Sequence, residues 1–463
     1  MRKILLSVVV AGLAALWLLL DLIEGGDGYG VARAAVLGAF LLIGFLLLRN
    51  AGNWLSRWDI FSPAIAFPLL YVFWFALGFL ATAIIRDDFD YQICIWTAAG
   101  LFCYFLGIRV FSRRWRGQPV HERSSENTWN RDSFWLVVSL LGCLTVAAYL
   151  YLISQMGIPA LSSMAAERRL EITKYGPTQG VLFTAADTLI IFLCAHLSKT
   201  REKVWLRALS WVALGSAALF MLSLGSRGFL FGPVLTSVIA YHYLGEKVHG
   251  FRLLKIGIPV FVGLSVYGYV RDQISLQGTE DFVATQGIDR MTFSLFYVVG
   301  YITMSVTALY DLTRLIPTHF SYQYGTLTFA PLSTVLPGHH EMSDMIFKRM
   351  LGEYFVGGGQ PATLLGPFYG DFGIPGILAG MFIVGLLMGS LYAWMSSRRT
   401  VFRVLIYSWV MHNTLLSLFG SFFPYLITLW IPLFWWFLDS VILTRTPFRL
   451  DSRQGDATLS ARA

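Results

Sequence analysis

Charge is scarce in this chain. Only 13% of its 463 residues are Asp, Glu, Lys or Arg, while 56% are hydrophobic. A soluble fold could not cover that much apolar surface, so a wholly aqueous protein is excluded. Cysteine is also rare. Cys94, Cys103, Cys143 and Cys194 are scattered through apolar stretches, which argues against a disulfide framework or a metal cluster and for small apolar packing residues. No internal repeat, low-complexity tract or separate soluble domain is visible. The HExxH metal spacing is absent, and His339-His340-Glu341 is not a metal signature. No basic run with interleaved aromatics occurs, so the net charge of +8 is no nucleic-acid signal; the partner it points to is anionic membrane lipid.

What the chain has instead is a series of long apolar stretches, at 4–22, 31–48, 60–84, 91–111, 133–155, 179–197, 207–224, 228–244, 253–270, 375–395, 401–420 and 424–443. Each is near the 20 or so residues with which a helix crosses a hydrocarbon core while closing its own backbone hydrogen bonds. The expected fold is an all-α polytopic membrane protein of about 12 transmembrane helices, one integral-membrane domain over 1–463. Met1-Arg2-Lys3 and the apolar run after it could pass for a secretory signal. No clear small-x-small cleavage site precedes Asp21, so a retained first span is expected.

Basic residues orient the spans, because Lys and Arg in short loops stay on the cytoplasmic side. Placing both termini in the cytoplasm puts the larger share of the 35 Lys and Arg there, from Arg2 and Lys3 to Arg445–Arg462. Two loops on the opposite side are long: 156–178, with Arg168 and Arg169, and 271–374, with Arg290 and Arg314. Loops of such length are often functional. Residues 291–310 are apolar enough to raise the question of another crossing. A crossing there would move Arg398, Arg399, Arg403 and the C-terminal arginines outside and bring in only Arg314, Lys348 and Arg349, so an interfacial helix near 291–316 is expected instead.

Soluble surface is richest on that outer side, and three features stand out there. Gly225-Ser226-Arg227-Gly228 makes a tight turn between the seventh and eighth stretches. Arg227 then sits at a helix start, where the macrodipole disfavours a cation, and at the membrane boundary; both ask for an anion. The alternative is an arginine snorkelling to lipid phosphate. Gly357-Gly358-Gly359-Gln360-Pro361 can start a helix with open amides, so Gly358 and Gly359 are candidate pyrophosphate contacts; a flexible hinge is the other reading. The outer-loop cations, Arg168, Arg169 and Arg290 among them, can clamp a polyanion or pair with nearby carboxylates. His340 is a candidate general base. Gly366/Gly370, Gly376/Gly380 and Gly385/Gly389 have the small-xxx-small spacing of close helix packing, and Asp187 is expected to hydrogen-bond a neighbouring helix or to mark an ion path.

The Gly-Ser-Arg-Gly turn, the outer loop ending LPGHHEMSDMIF and the stretch GGGQPATLLGPFYGDFGIPGILAGMFIVG together resemble the oligosaccharide repeat-unit (O-antigen, Wzy-type) polymerases of bacteria. That resemblance implies a GT-C-like membrane glycosyltransferase of the inner membrane with a long periplasmic loop. It would polymerise undecaprenyl-pyrophosphate-linked oligosaccharide repeat units into O-antigen or exopolysaccharide by inverting transfer, with no cofactor or metal and with a chain-length regulator protein as a further partner. Arg227 carries over on the family's turn motif; Arg168 and Arg169 carry over by location. His340 as base, Arg290 as a second pyrophosphate contact and Tyr322, Tyr324, Tyr354, Phe355 and Phe368 as sugar-stacking rings are assignments to this chain alone. An O-antigen ligase, or a lipid-linked oligosaccharide flippase or other transporter, are the competing readings. A flippase should carry more charge within its spans and an internal repeat.

Overall fold

The computed structural model describes residues 59–85, 89–90, 92–115, 129–162, 176–199, 203–224, 227–245, 297–333, 341–352, 359–420 and 426–443, with isolated positions between 248 and 270. The described residues are helical, without strands. In chain order the helices are α1 (Ala66–Ile85), α2 (Gln92–Trp115), α3 (Arg131–Met156), α4 (Gly176–Lys199), α5 (Val204–Ser223), α6 (Arg227–Leu244), α7 (Tyr297–Leu315), α8 (Thr326–Ser333), α9 (Ser343–Met350), α10 (Leu365–Ser397), α11 (Val401–Leu416) and α12 (Leu426–Phe437). Six of them (α1 to α5 and α10) are long and apolar enough to cross a membrane. The stretches 4–22 and 31–48 and most of 253–270 lie outside the described residues.

Local chemistry sets the helix limits. Asn130 starts α3 by accepting from the amides of Asp132 and Ser133 at 3.0 and 3.3 Å, and Gly157 ends it with φ 73°. Thr400 caps α11 through the Arg403 amide. Within α10, Gly373 takes φ 64° and ψ −146°, and Pro375 follows, so the helix breaks into a half-helix (365–372) and a long spanning part. The two parts fold back on each other. A Cβ on Gly376 would lie 2.0 Å from the Phe368 carbonyl oxygen, and one on Gly380 would lie 2.4 Å from the Phe368 ring.

The most extensive helix pairing joins α10 to α2, and glycine makes it possible. A Cβ on Gly385 would lie 2.1 Å from the Tyr104 carbonyl oxygen, one on Gly107 2.3 Å from that of Phe382, and one on Gly389 3.1 Å from the Ile108 Cα. Backbone thus meets backbone, as small-residue spacing anticipates. Gly100 faces Ile377 and Met381, so contacts advance along both helices in the same sense and the two run parallel. Parallel spans are separated by an odd number of crossings. Between them the described residues hold three candidate spans, α3, α4 and α5, together with the stretch 291–310 expected at the interface.

That stretch forms α7, which lies against α1. Trp74 Nε1 donates to Ser305 Oγ at 3.1 Å, the hydroxyls of Thr82 and Thr307 are 2.9 Å apart, and Val306 fills the space above Gly78. Trp74, Gly78 and Thr82 all belong to the apolar window Ala66–Ala83, so α7 packs against a candidate span.

Candidate active site at the Arg227 end of the bundle

The helix ends gather at two faces. At one, Asp59 ties together the starts and ends of three helices. Its carboxylate accepts from His242 Nε2 at 3.1 Å, from Tyr243 Oη at 2.8 Å, from Tyr392 Oη at 3.0 Å and from the Phe61 amide at 3.1 Å. The Val248 amide donates to His242 Nδ1 at 3.0 Å, which leaves that nitrogen unprotonated and the proton on Nε2, facing Asp59. Burial alone would raise the Asp59 carboxyl; the His242 contact and the two tyrosine hydroxyls outweigh it and hold it below the usual carboxylate range. Sequence reading missed this cluster. The signal for it was an acid immediately before an apolar run, with His242-Tyr243 at the end of another.

The other face holds the start of α6 at Arg227 and the residues from Gly359 that lead into α10. Here the half-helix of α10 is built into a frame. The Thr363 hydroxyl accepts from the Leu365 amide at 3.1 Å, the Gly366 amide donates to the Ala362 carbonyl, and Pro367 has no amide to offer. Thr363 holds φ 58°, and its own amide donates to the Phe419 carbonyl at the end of α11. The Tyr369 hydroxyl donates to the Ile316 carbonyl at 3.1 Å, while Trp96 of α2 stacks on its ring at 6.0 Å. Phe347 of α9 packs against Gly366 and Gly370.

Asp371, fully buried at the end of the half-helix, caps α8 across the chain. Its two carboxylate oxygens accept from the amides of Leu327 at 3.0 Å and Thr328 at 2.7 Å. The Gln323 and Tyr324 amides donate to the carbonyls of Gly370 and Asp371. One local geometry thus results from two short segments far apart in sequence: the loop 321–325 is fastened to the break in α10.

The candidate residues fare differently. Gly359 approaches Asp344 so closely that a Cβ would meet its carboxyl carbon at 2.4 Å, and the Gln360 amide donates to the Asp344 carbonyl at 2.8 Å. Burial pushes the Asp344 carboxyl up, even as it accepts the Met345 amide. That close approach gives Gly359 a packing role. The open amides expected at this helix start are taken, among the described residues, by Thr363, Ala362 and Phe419. Arg227 is the first residue of α6, the position the turn motif predicts. Arg168, Arg169, Arg290, His340 and Gly358 lie outside the described residues, as do Tyr354 and Phe355. Tyr322 is tucked against Gly373 and Phe368 against Gly380, whereas Tyr324 is exposed.

Asp187 corrects another expectation. Its Oδ1 is buried without a hydrogen-bond partner among the described residues. The residue lies on α4, whose Phe183 ring meets Phe229 of α6 at 4.5 Å.

A search of curated proteins and of solved structures finds no match. The family model described as "Putative O-antigen polymerase" matches residues 59–419, which takes in the Asp59 cluster, the Arg227 turn and the whole frame around the half-helix. The chain belongs to the O-antigen polymerase family.

Proposed function

We propose that the protein polymerises undecaprenyl-pyrophosphate-linked oligosaccharide repeat units by inverting glycosyl transfer at the periplasmic face of the bacterial inner membrane. It does so as a GT-C-like membrane enzyme with about 12 spans and both termini in the cytoplasm. The observation that carries this reading is the family match over 59–419, with Arg227 at the first turn of α6 inside it.

The chemistry follows from the leaving group. A hydroxyl of the incoming repeat unit attacks the anomeric carbon of the growing glycan, and the bond from that carbon to the pyrophosphate oxygen breaks. The new glycosidic bond forms with inversion, and undecaprenyl pyrophosphate departs with the electron pair. Negative charge grows on the pyrophosphate as the bond breaks, so a fixed guanidinium stabilises the transition state more than the ground state. Arg227 fills that role, with Arg168, Arg169 and Arg290 as further pyrophosphate contacts. His340 takes the proton from the acceptor hydroxyl. Arg227 stands at a helix start, where the positive end of the macrodipole disfavours a cation, and the charge of a bound pyrophosphate offsets that cost. Membrane lipid surrounds the enzyme, and a chain-length regulator protein acts beside it.

Analysis of surface glycan in a deletion strain tests this reading. Loss of a polymerase leaves one repeat unit on the acceptor. Loss of a ligase leaves none, and loss of a flippase leaves repeat units stranded on the cytoplasmic side; either result would replace the proposal.

A further inference from the structure

The loop fastened to the break in α10 presents aromatic rings outward. Tyr324 is 77% exposed, Phe329 59% and Phe372 48%. They form one patch: Phe329 and Phe372 both border Gly325, at 3.5 and 3.9 Å from a Cβ built there, and the rings of Tyr324 and Phe372 meet edge to face at 6.4 Å. The patch is held rigidly. Tyr324 sits in the left-handed region at φ 48°, a conformation that residues with a β-carbon rarely adopt. The Asp371 cap and the amide bonds of Gln323 and Tyr324 hold it there. Strain kept in order to display three large rings to the surroundings calls for an occupant.

Position identifies that occupant. The spanning part of α10 from Pro375 to Ser397 is long enough to cross a hydrocarbon core of about 30 Å. Its exposed stripe runs through Pro375, Ala379 and Ile383, and Phe372 and Ile374 continue that stripe at its end. The patch is therefore contiguous with the surface that meets lipid tails. It lies where a bilayer turns from tails to headgroups, the level at which aromatic rings are most stable. We propose that Tyr324, Phe329 and Phe372 form an interfacial patch that docks on the phospholipid of the leaflet at the Arg227 end and so fixes α8 and the half-helix of α10 at the membrane surface. The segment 320–329, within a loop that sequence alone assigns to water, then belongs to the membrane boundary. This inference does not depend on the transfer reaction.

Two measurements test it. In the unaltered protein in phospholipid vesicles, a lipid carrying a photoactivatable diazirine near the top of its acyl chain should label the tryptic peptide Leu315–Lys348, at Tyr324 or Phe329. Labelling located at Ile383 itself, on the spanning part of α10, serves as the lipid-facing control. Labelling of the control without labelling of Leu315–Lys348 would overturn the proposal. In a chain whose four native cysteines are alanine, nitroxides on Tyr324→Cys, Phe329→Cys and Phe372→Cys should collide with oxygen more than with a water-soluble nickel chelate. They should fall between Ile383→Cys in the span and Arg349→Cys in water. Nickel-dominated collision at all three sites would show a patch open to water, suited to stacking on sugar rings, and low collision with both reagents would show a patch covered by protein; either refutes lipid docking.

Discussion

Replacing Gly385 with alanine puts a methyl group where the Tyr104 carbonyl oxygen stands 2.1 Å away. Ordinary contact begins near 3.4 Å, so α2 and α10 must separate locally by about 1.3 Å, and the obstacle is backbone, which cannot rotate aside. Overpacking of that kind costs about 1–3 kcal/mol. Gly107→Ala meets the Phe382 carbonyl oxygen at 2.3 Å and the Leu386 amide at 2.6 Å across the same contact, so it should cost a similar amount. Because one separation relieves both clashes, the double variant should lose less than the sum of the two single losses. Gly142 in α3 and Gly215 in α5 supply the contrast. Nothing lies within 4 Å of a Cβ at either, so alanine there should be neutral or stabilise by up to about 1 kcal/mol through helix propensity. The assay is thermal unfolding of the detergent-solubilised protein. The two interface variants should unfold a few degrees lower and the two open ones no lower than the parent. Strict additivity at 107 and 385, or equal losses at all four positions, would refute the backbone-on-backbone account of this pairing.

Other outcomes follow from the two faces of the bundle. Asp371→Ala removes both acceptors at the start of α8 and should cost about 2 kcal/mol, seen as earlier proteolysis of the 321–333 segment; Asp371→Asn keeps one acceptor and should recover part of it. Asp59 has a lowered carboxyl, so the stability it contributes is complete above the ordinary carboxylate pKa and disappears as pH falls through its lowered value; Asp59→Asn should flatten that acid limb of the unfolding profile. Asp344 has a raised carboxyl, so its contribution is present at low pH and is lost as pH rises through the raised value; Asp344→Asn should gain stability relative to the parent on going from acid to neutral pH. Arg227→Lys keeps the charge but loses the two-pronged fork, and should shorten glycan chains less than Arg227→Ala does.

Most of the helices could be read directly. The stretches 60–84, 91–111, 133–155, 179–197, 207–224 and 228–244 recur as α1 to α6 within a few residues, because about 20 apolar residues in a row have one structural solution in lipid. The Gly385/Gly389 spacing likewise foretold a close helix contact, since only glycine lets backbones approach to that distance. A helix start after Gly357–Pro361 was legible, but not that it is a half-helix, 365–372, broken at Gly373: eight residues holding Gly366, Pro367 and Gly370 leave no span-length signal. Asp371 and Asp59 were missed for a different reason. Their partners are amides and hydroxyls from distant parts of the chain, and no local spacing encodes such pairings. The start of α6 at Arg227 was legible from the glycine-flanked turn, while the surroundings of Asp187, whose Oδ1 is buried without a partner among the described residues, were not, because no local spacing encodes them.

The central claim is that Arg227 receives the departing diphosphate, and purified protein in vesicles supplied with a synthetic undecaprenyl-pyrophosphate-linked repeat unit tests it most directly. The account predicts a ladder of lengthening glycans with one undecaprenyl pyrophosphate released per linkage, and in Arg227→Ala, still inserted and folded, loss of both. A full ladder from Arg227→Ala, or none from the parent protein with its matched repeat unit, would contradict it.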